Sequence, residues 1–161
     1  MFVRVEVAHK NNVTDPHAKH FLKQVKWAAN DLYQQINFAR MVDVYWIETD
    51  LSESVCKEVV FEVFSDSVLN DVCVSMTPVS DEFNWVIEKR FKPGVTDNTA
   101  RTLKEAFEIV LNKKLTQSYF SSGKLLLINA PSLNEDDLRQ ITKEVFCNEL
   151  IESFSVSSKE G

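Results

Sequence analysis

Glycine is nearly missing from this chain: Gly94, Gly123 and the C-terminal Gly161 are the only three in 161 residues. So few exclude a glycine-rich phosphate loop, a dinucleotide fingerprint and a GxSxG nucleophile elbow. Cysteine is equally spare. Cys56, Cys73 and Cys147 form no CxxC pair and are odd in number, which fits free thiols in a reducing compartment. No apolar run approaches the roughly 20 residues that span a bilayer. The opening MFVRVEVAHK alternates apolar and polar residues and lacks the apolar core of a secretory signal. No membrane association is expected, and the cytoplasm is the expected location. Positive charge is also short, with 18 Lys and Arg against 24 Asp and Glu, a net charge of -6. Neither half of the chain is basic, so no nucleic acid partner is expected. What remains is an ordinary globular balance, 44% hydrophobic and 26% charged, of one-domain length.

The chain is similar to itself. At an offset of 82, Val13-Thr14-Asp15 falls on Val95-Thr96-Asp97, and Glu62-Val63-Phe64 falls on Glu144-Val145-Phe146. Pairing residues 1–79 with 83–161 without a gap gives 16 identities, three times the roughly five that chance supplies. A tandem duplication follows: one repeat over 1–74, a polar linker over 75–82 containing Pro78, a second repeat over 83–156, and a flexible tail over 157–161.

Each repeat predicts the same order of elements. Val3, Val5 and Val7 alternate with Arg4 and Glu6 as a half-buried strand, matched by Trp85–Phe91. Asp15 reads as an N-cap with Pro16 at the first helical position, and Asp97 as its counterpart. Ala18, Phe21, Val25, Ala28 and Leu32 then recur at helical spacing, as do Ala100, Leu103, Phe107, Val110 and Leu115. Strands follow near 41–47 and 124–129, the second open to division into a hairpin at Ser121-Ser122-Gly123. Asp50-x-x-Glu53 and Ser132-x-x-Glu135 resemble capping boxes opening second helices. Those helices carry Val55, Val59 and Val63, and Leu138, Ile141 and Val145. Short strands at 72–74 and 154–156 close the halves. The expected fold class is therefore α+β. It consists of two ferredoxin-like βαββαβ repeats, a mainly antiparallel sheet with helices on one face, forming a pseudo-dimer.

No constellation carries catalysis. His17 and His20 lie three apart but lack a third ligand, and read as exposed. His9 aligns with Phe91, which favours packing. The cysteines sit among apolar residues and read as buried and structural. Glu135-Asp136-Asp137 fits a helix first turn, where negative charge is favoured. Lys89-Arg90-Phe91-Lys92 is the one basic run with an aromatic inside it, and suits a rim docking an acidic protein surface as well as it suits RNA. Neither catalytic residues, a metal site nor a cofactor is expected.

Two segments carry a resemblance. Lys92-Pro93-Gly94-Val95-Thr96-Asp97-Asn98-x-Ala100 and Asn148-Glu149-Leu150-Ile151-Glu152-Ser153-Phe154, with the order of elements between them, resemble the PurS family. PurS is the small subunit of phosphoribosylformylglycinamidine synthase. The first repeat departs from the pattern, with Asn11-Asn12 in place of Pro-Gly and a looser end over 67–72. The resemblance implies a noncatalytic assembly subunit in purine biosynthesis, bridging a glutaminase and an ATP-dependent synthetase, without a cofactor of its own. It implies partner contacts at Lys92, Pro93, Gly94, Asp97, Glu149, Glu152 and Phe154, and allows self-association. The duplicated form is similar to the N-terminal region of large single-chain synthases, so the chain fits either a whole subunit or the front of a longer one. The alternative is a tandem ferredoxin-like regulatory module that binds a small metabolite between repeats.

Overall fold

Alternating Val3, Val5 and Val7 form the first strand, β1 (Phe2–His9), within a computed structural model that describes residues 2–9, 15–64, 70–74 and 82–158. Helix α1 (Pro16–Ala28), a single further turn α2 (Asn30–Tyr33), β2 (Phe38–Glu48), α3 (Glu53–Val63) and β3 (Asn70–Val74) complete the first half. The second half holds β4 (Trp85–Phe91), α4 (Asn98–Leu111), β5 (Tyr119–Asn129), α5 (Glu135–Ile141) with a π-helical turn over Thr142–Phe146, and β6 (Glu152–Ser158). The strands are hydrogen-bonded in the order β3-β1-β2-β5-β4-β6, with β3 antiparallel to β1 and β6 antiparallel to β4. The fold class is α+β, with an antiparallel sheet related to the ferredoxin-like arrangement.

Two compact units make up the chain, and they do not follow the repeat boundaries 1–74 and 83–156. The first unit gathers β1, β2 from Asp43, α3, β3, α4 and β5 as far as Gly123. Its core joins Val3, Val5 and Val7 to Tyr45 and Ile47, to Cys56, Val59 and Val60 of α3, and to Ala100, Leu103 and Phe107 of α4. The three valines share one face of β1, so α3 and α4 cover the same face of the sheet. The second unit gathers α1, α2, β2 to Val42, β4, β5 from Lys124, α5 and β6. Its core sets Phe21 and Val25 of α1 against Ile87, Leu126, Ile128, Leu138, Ile141 and Val156. The first unit thus takes α4 from the second half of the sequence, and the second unit takes α1 and its further turn α2 from the first half. The cause lies in β2 and β5, whose eleven residues each supply inward side chains to both cores.

Other expectations shift by small, physical amounts. The strand around Ser121-Ser122-Gly123 is not split: β5 runs unbroken from Tyr119 to Asn129. The second helices start two residues later than Asp50 and Ser132 suggest. Ser52 caps α3 by accepting from Val55 N at 3.2 Å, and Asn134 forms a reciprocal box with Asp137. In α3, Cys56 and Val60 are buried, while Val55 and Val63 are half-buried. Ala28 and Val110 fall outside the buried faces of their helices.

The ungapped offset of 82 also fails in one place. α1 and α4 follow caps 82 apart, but β2 and β5 begin at Phe38 and Tyr119, which are 81 apart. A one-residue slip reverses the faces of a strand. Phe38 is accordingly exposed and Phe120 buried, although the ungapped pairing makes them identical partners. Glu6, read as part of the polar alternation of β1, is only 2% exposed. Arg4 Nε holds its Oε1 at 3.0 Å and stacks its own guanidinium 5.5 Å from the Trp46 ring centroid. At the C-terminal end, β6 takes in Ser157 and Ser158, which the sequence places in the tail. Residues 75–81 of the linker, 159–161 of the tail, 10–14 and 65–69 lie outside the described residues, as do the side chains of His9 and Cys73.

Candidate partner-binding surface

Within the second unit, the two segments that carry the resemblance meet. Lys92-Pro93-Gly94-Val95 closes a turn in which Val95 N donates to Lys92 O at 3.2 Å. Pro93 occupies the position where a fixed φ near −65° is wanted, and Gly94 the next one, at φ +87°. That left-handed value is what only glycine adopts without strain. Lys92 N in turn donates to Ile151 O at 2.8 Å, joining this turn to the loop before β6.

The loop is shaped by its own polar side chains. Asn148 Oδ1 accepts from Leu150 N at 3.1 Å, an Asx turn, while Asn148 O accepts from Ile151 N and Glu152 N. Glu152 Oε1 accepts from Asn148 N at 2.9 Å, and its Oε2 lies 3.4 Å from Lys89 Nζ. Lys89 also donates to Phe146 O at 2.6 Å and sits 4.3 Å from the Phe146 ring centroid. Thr142 is fully buried and donates to Leu138 O at 2.7 Å as the helix widens into its π-helical turn. Glu152 and Lys89 therefore hold the loop from inside, at side-chain exposures of 13% and 16%.

What faces outward is different in kind. Leu150 is 87% exposed and Ile151 40%. Lys92, Pro93, Gly94 and Glu149 are exposed around them. An apolar tip edged by one cation and one anion is suited to docking against another protein surface.

The seven residues singled out by sequence divide accordingly. Lys92, Pro93, Gly94 and Glu149 share this surface, and Glu152 supports it from within. Phe154 is half-buried against the core, with the Arg139 guanidinium 6.0 Å from its ring centroid. Asp97 belongs to the first unit, where it caps α4. Leu150 and Ile151 were not among the seven. Their signal is an apolar pair following an Asx-turn asparagine, which in a turn has nowhere to be buried.

The remaining candidates do not come together. His17 and His20 are both exposed, and among the described residues no group of three His, Cys, Asp or Glu side chains is placed to hold a metal ion. Burial pushes the Cys56 thiol up, with Glu53 adding to it. Cys147 is also raised, by burial and Glu152 and then Glu149, against the opposing pull of Lys89 and Lys92. Raised thiols stay protonated and are poor nucleophiles at neutral pH. Glu135, Asp136 and Asp137 occupy the first turn of α5. Lys89 of the basic run is turned inward, leaving Arg90 and Lys92 exposed.

The first unit carries a groove of about 280 Å³ lined by Tyr45, Val63, Phe64, Thr99, Thr102 and Leu103. The Tyr45 hydroxyl is pushed up to about 12 by burial, with Asp43 and Asp97 adding to the effect. Among the described residues, no helix is long and apolar enough to cross a membrane. No protein-family model and no curated protein matches the chain.

Proposed function

We propose that this chain is a noncatalytic assembly subunit of the PurS type, bridging the glutaminase and the ATP-dependent synthetase of phosphoribosylformylglycinamidine synthase. The observation that carries the reading is the contact between its two motif segments, Lys92 N to Ile151 O, and the apolar tip they present. In this reading, the Lys-Pro-Gly turn and the Asn-Glu-Leu-Ile-Glu loop recur together because they build one docking surface. Glutamine hydrolysis and amide activation take place on the partners, and the chain brings those partners together.

The test is reconstitution with the cognate glutaminase and synthetase. A Leu150→Ser, Ile151→Ser double variant keeps its fold, because neither side chain is in the core. It is expected to lower glutamine-dependent amidine formation roughly tenfold or more, the size of losing a docking anchor. The rate with free ammonia should be unchanged. Equal glutamine-dependent rates with and without the chain would sink the bridging role.

A second reading has its own observation. The groove beside Tyr45 is walled by α3 from the first half of the sequence and α4 from the second, so a metabolite there would sit between repeats within one unit. Thermal-shift screening with purine-pathway metabolites and amino acids separates the two. Strong stabilisation by one compound without partner proteins favours a sensor, and a flat screen discards it.

A further inference from the structure

The groove of the first unit has an apolar body and one polar point. Val63 and Phe64 come from the end of α3, and Leu103 and Ala106 from α4. Tyr45 of β2 sets its ring 5.8 Å from that of Phe64, at a tilt of 37°. Thr99 and Thr102 are exposed and mark where the groove meets solvent.

The polar point is the Tyr45 hydroxyl. Tyr45 is only 7% exposed, yet among the described residues its hydroxyl makes no hydrogen bond. A buried phenol ordinarily finds a partner. This one lines the groove instead. Burial first, then Asp43 and Asp97, hold its proton up to about 12, so at neutral pH it is a donor.

Charge and size narrow what fits. Asp43 and Asp97 oppose an anion in the groove. The first turn of α4, where Thr99 lies, carries the positive end of the helix dipole and opposes a cation. A neutral occupant meets neither penalty. At about 280 Å³ the groove exceeds the roughly 150 Å³ that takes benzene, and stops just short of the roughly 300 Å³ where drug-sized sites begin. Two fused rings match that space.

We infer that this groove binds a small, neutral bicyclic aromatic molecule whose hydrogen-bond acceptor meets the Tyr45 hydroxyl. Its rings lie against Phe64, Leu103 and Ala106, and its acceptor supplies the partner that the phenol lacks. The inference rests on the second reading above, that a small molecule occupies the groove, and is independent of the bridging role.

The probes are quinoline, uncharged at neutral pH with one ring-nitrogen acceptor, and naphthalene, the same two rings without it. Amide chemical-shift titration of the full chain is expected to place each at one site, moving Phe64, Leu103 and Ala106. Tyr45→Phe keeps the ring and loses only the hydroxyl, so it should weaken quinoline roughly tenfold and leave naphthalene unchanged. Quinoline-2-carboxylate, an anion, should bind roughly tenfold more weakly than quinoline. Thr102→Trp fills the groove from its exposed rim and should abolish binding of both neutral probes, with circular dichroism showing both variants folded. A Tyr45→Phe change that weakens the two probes alike, or neither, overturns the acceptor contact and leaves a small-molecule groove standing. A carboxylate that binds as tightly as quinoline overturns the neutral class in the same way. A chain that takes up neither probe, or binds them undiminished after Thr102→Trp, overturns the inference and the sensor reading together.

Discussion

Asp15 and Asp97 open corresponding helices in different units, and each does two jobs at once. Asp15 Oδ1 accepts from Ala18 N at 3.0 Å, the cap itself, while its Oδ2 accepts from Met41 N at 2.9 Å on β2. Asp97 Oδ1 accepts from Ala100 N at 2.9 Å and Oδ2 from Ser122 N at 2.7 Å on β5. A single carboxylate thus starts a helix and pins it to a strand. The difference lies in the surroundings. Asp97 also takes the Ser122 hydroxyl at 2.7 Å, and the Tyr45 phenol lies in its field. On the second unit's side, Leu126, 81 residues beyond Tyr45, is a fully buried aliphatic group. The backbone device is the same in both places, while the chemistry beside it is polar in one unit and apolar in the other.

Removing the two carboxylates tests how far the likeness goes. Asp97→Ala is expected to cost about 3 kcal/mol, from the lost cap and a strand N–H and hydroxyl left without their acceptor. Asp15→Ala should cost about 2 kcal/mol, since among the described residues it loses no hydroxyl partner. Urea denaturation of both variants measures the gap. Equal losses would mean that the Ser122 hydroxyl contributes nothing and that the two sites are energetically alike. Asparagine at either position keeps an acceptor for the helix N–H and should recover part of the loss.

These caps were legible because they are local. An Asp before Pro16 or Asn98, followed by an apolar period, contains its whole argument within one turn of helix. The caps of α3 and α5 were missed by two residues for the same reason in reverse. Asp50 and Ser132 satisfy the pattern as well as Ser52 and Asn134 do, and only the strand exit decides between them. The slip from 82 to 81 at β2 and β5 was illegible in a gapless comparison, which rewards the coincidence of Phe38 with Phe120. The exchange of α1 and α4 between cores depends on which apolar faces meet across the chain, a property no local pattern records. Of the candidate surface, the Pro-Gly turn and the Asn and Glu of the loop could be read from type and spacing. That Lys89 turns inward to hold Glu152, leaving Leu150 and Ile151 outside, follows only from the pairing of β4 with β6.

The phenol beside Asp97 sharpens the comparison through pH. Tyr45 holds its proton up to about 12 in the folded chain, against 10.0 for an ordinary tyrosine. The folded state therefore binds the proton more tightly than the unfolded state does. Its contribution is fully present below pH 10 and is lost as pH rises from 10 toward 12. The loss should reach roughly 2–3 kcal/mol by the upper end. Tyr45→Phe should remove that part of the alkaline decline while leaving the rest. Asp97→Ala should lower the tyrosinate absorbance transition of Tyr45 slightly, since burial and then Asp43 raise it more than Asp97 does, and Asp15→Ala should leave it in place. A Tyr45 transition that moves equally in both variants would contradict the separate surroundings assigned to the two caps.

The smallest effect concerns the turn ahead of Asp97. Gly94 has φ +87°, and a Cβ placed on it would meet no atom within 4 Å. Gly94→Ala therefore carries a backbone cost and no packing cost. The left-handed conformation disfavours alanine by roughly 1–2 kcal/mol, and the reduced freedom of the unfolded chain returns part of it. The net loss should be about 1 kcal/mol, below that at either carboxylate, and the same in urea melts with or without partner proteins if the turn serves only to shape the chain. In the docking surface proposed above, Gly94 lies beside Lys92 and Pro93, where an added methyl meets whatever binds the Leu150 tip. Partner affinity should then fall further than stability does. A variant that loses stability and partner binding in equal measure would assign Gly94 to the fold alone, and move the docking contact away from this turn.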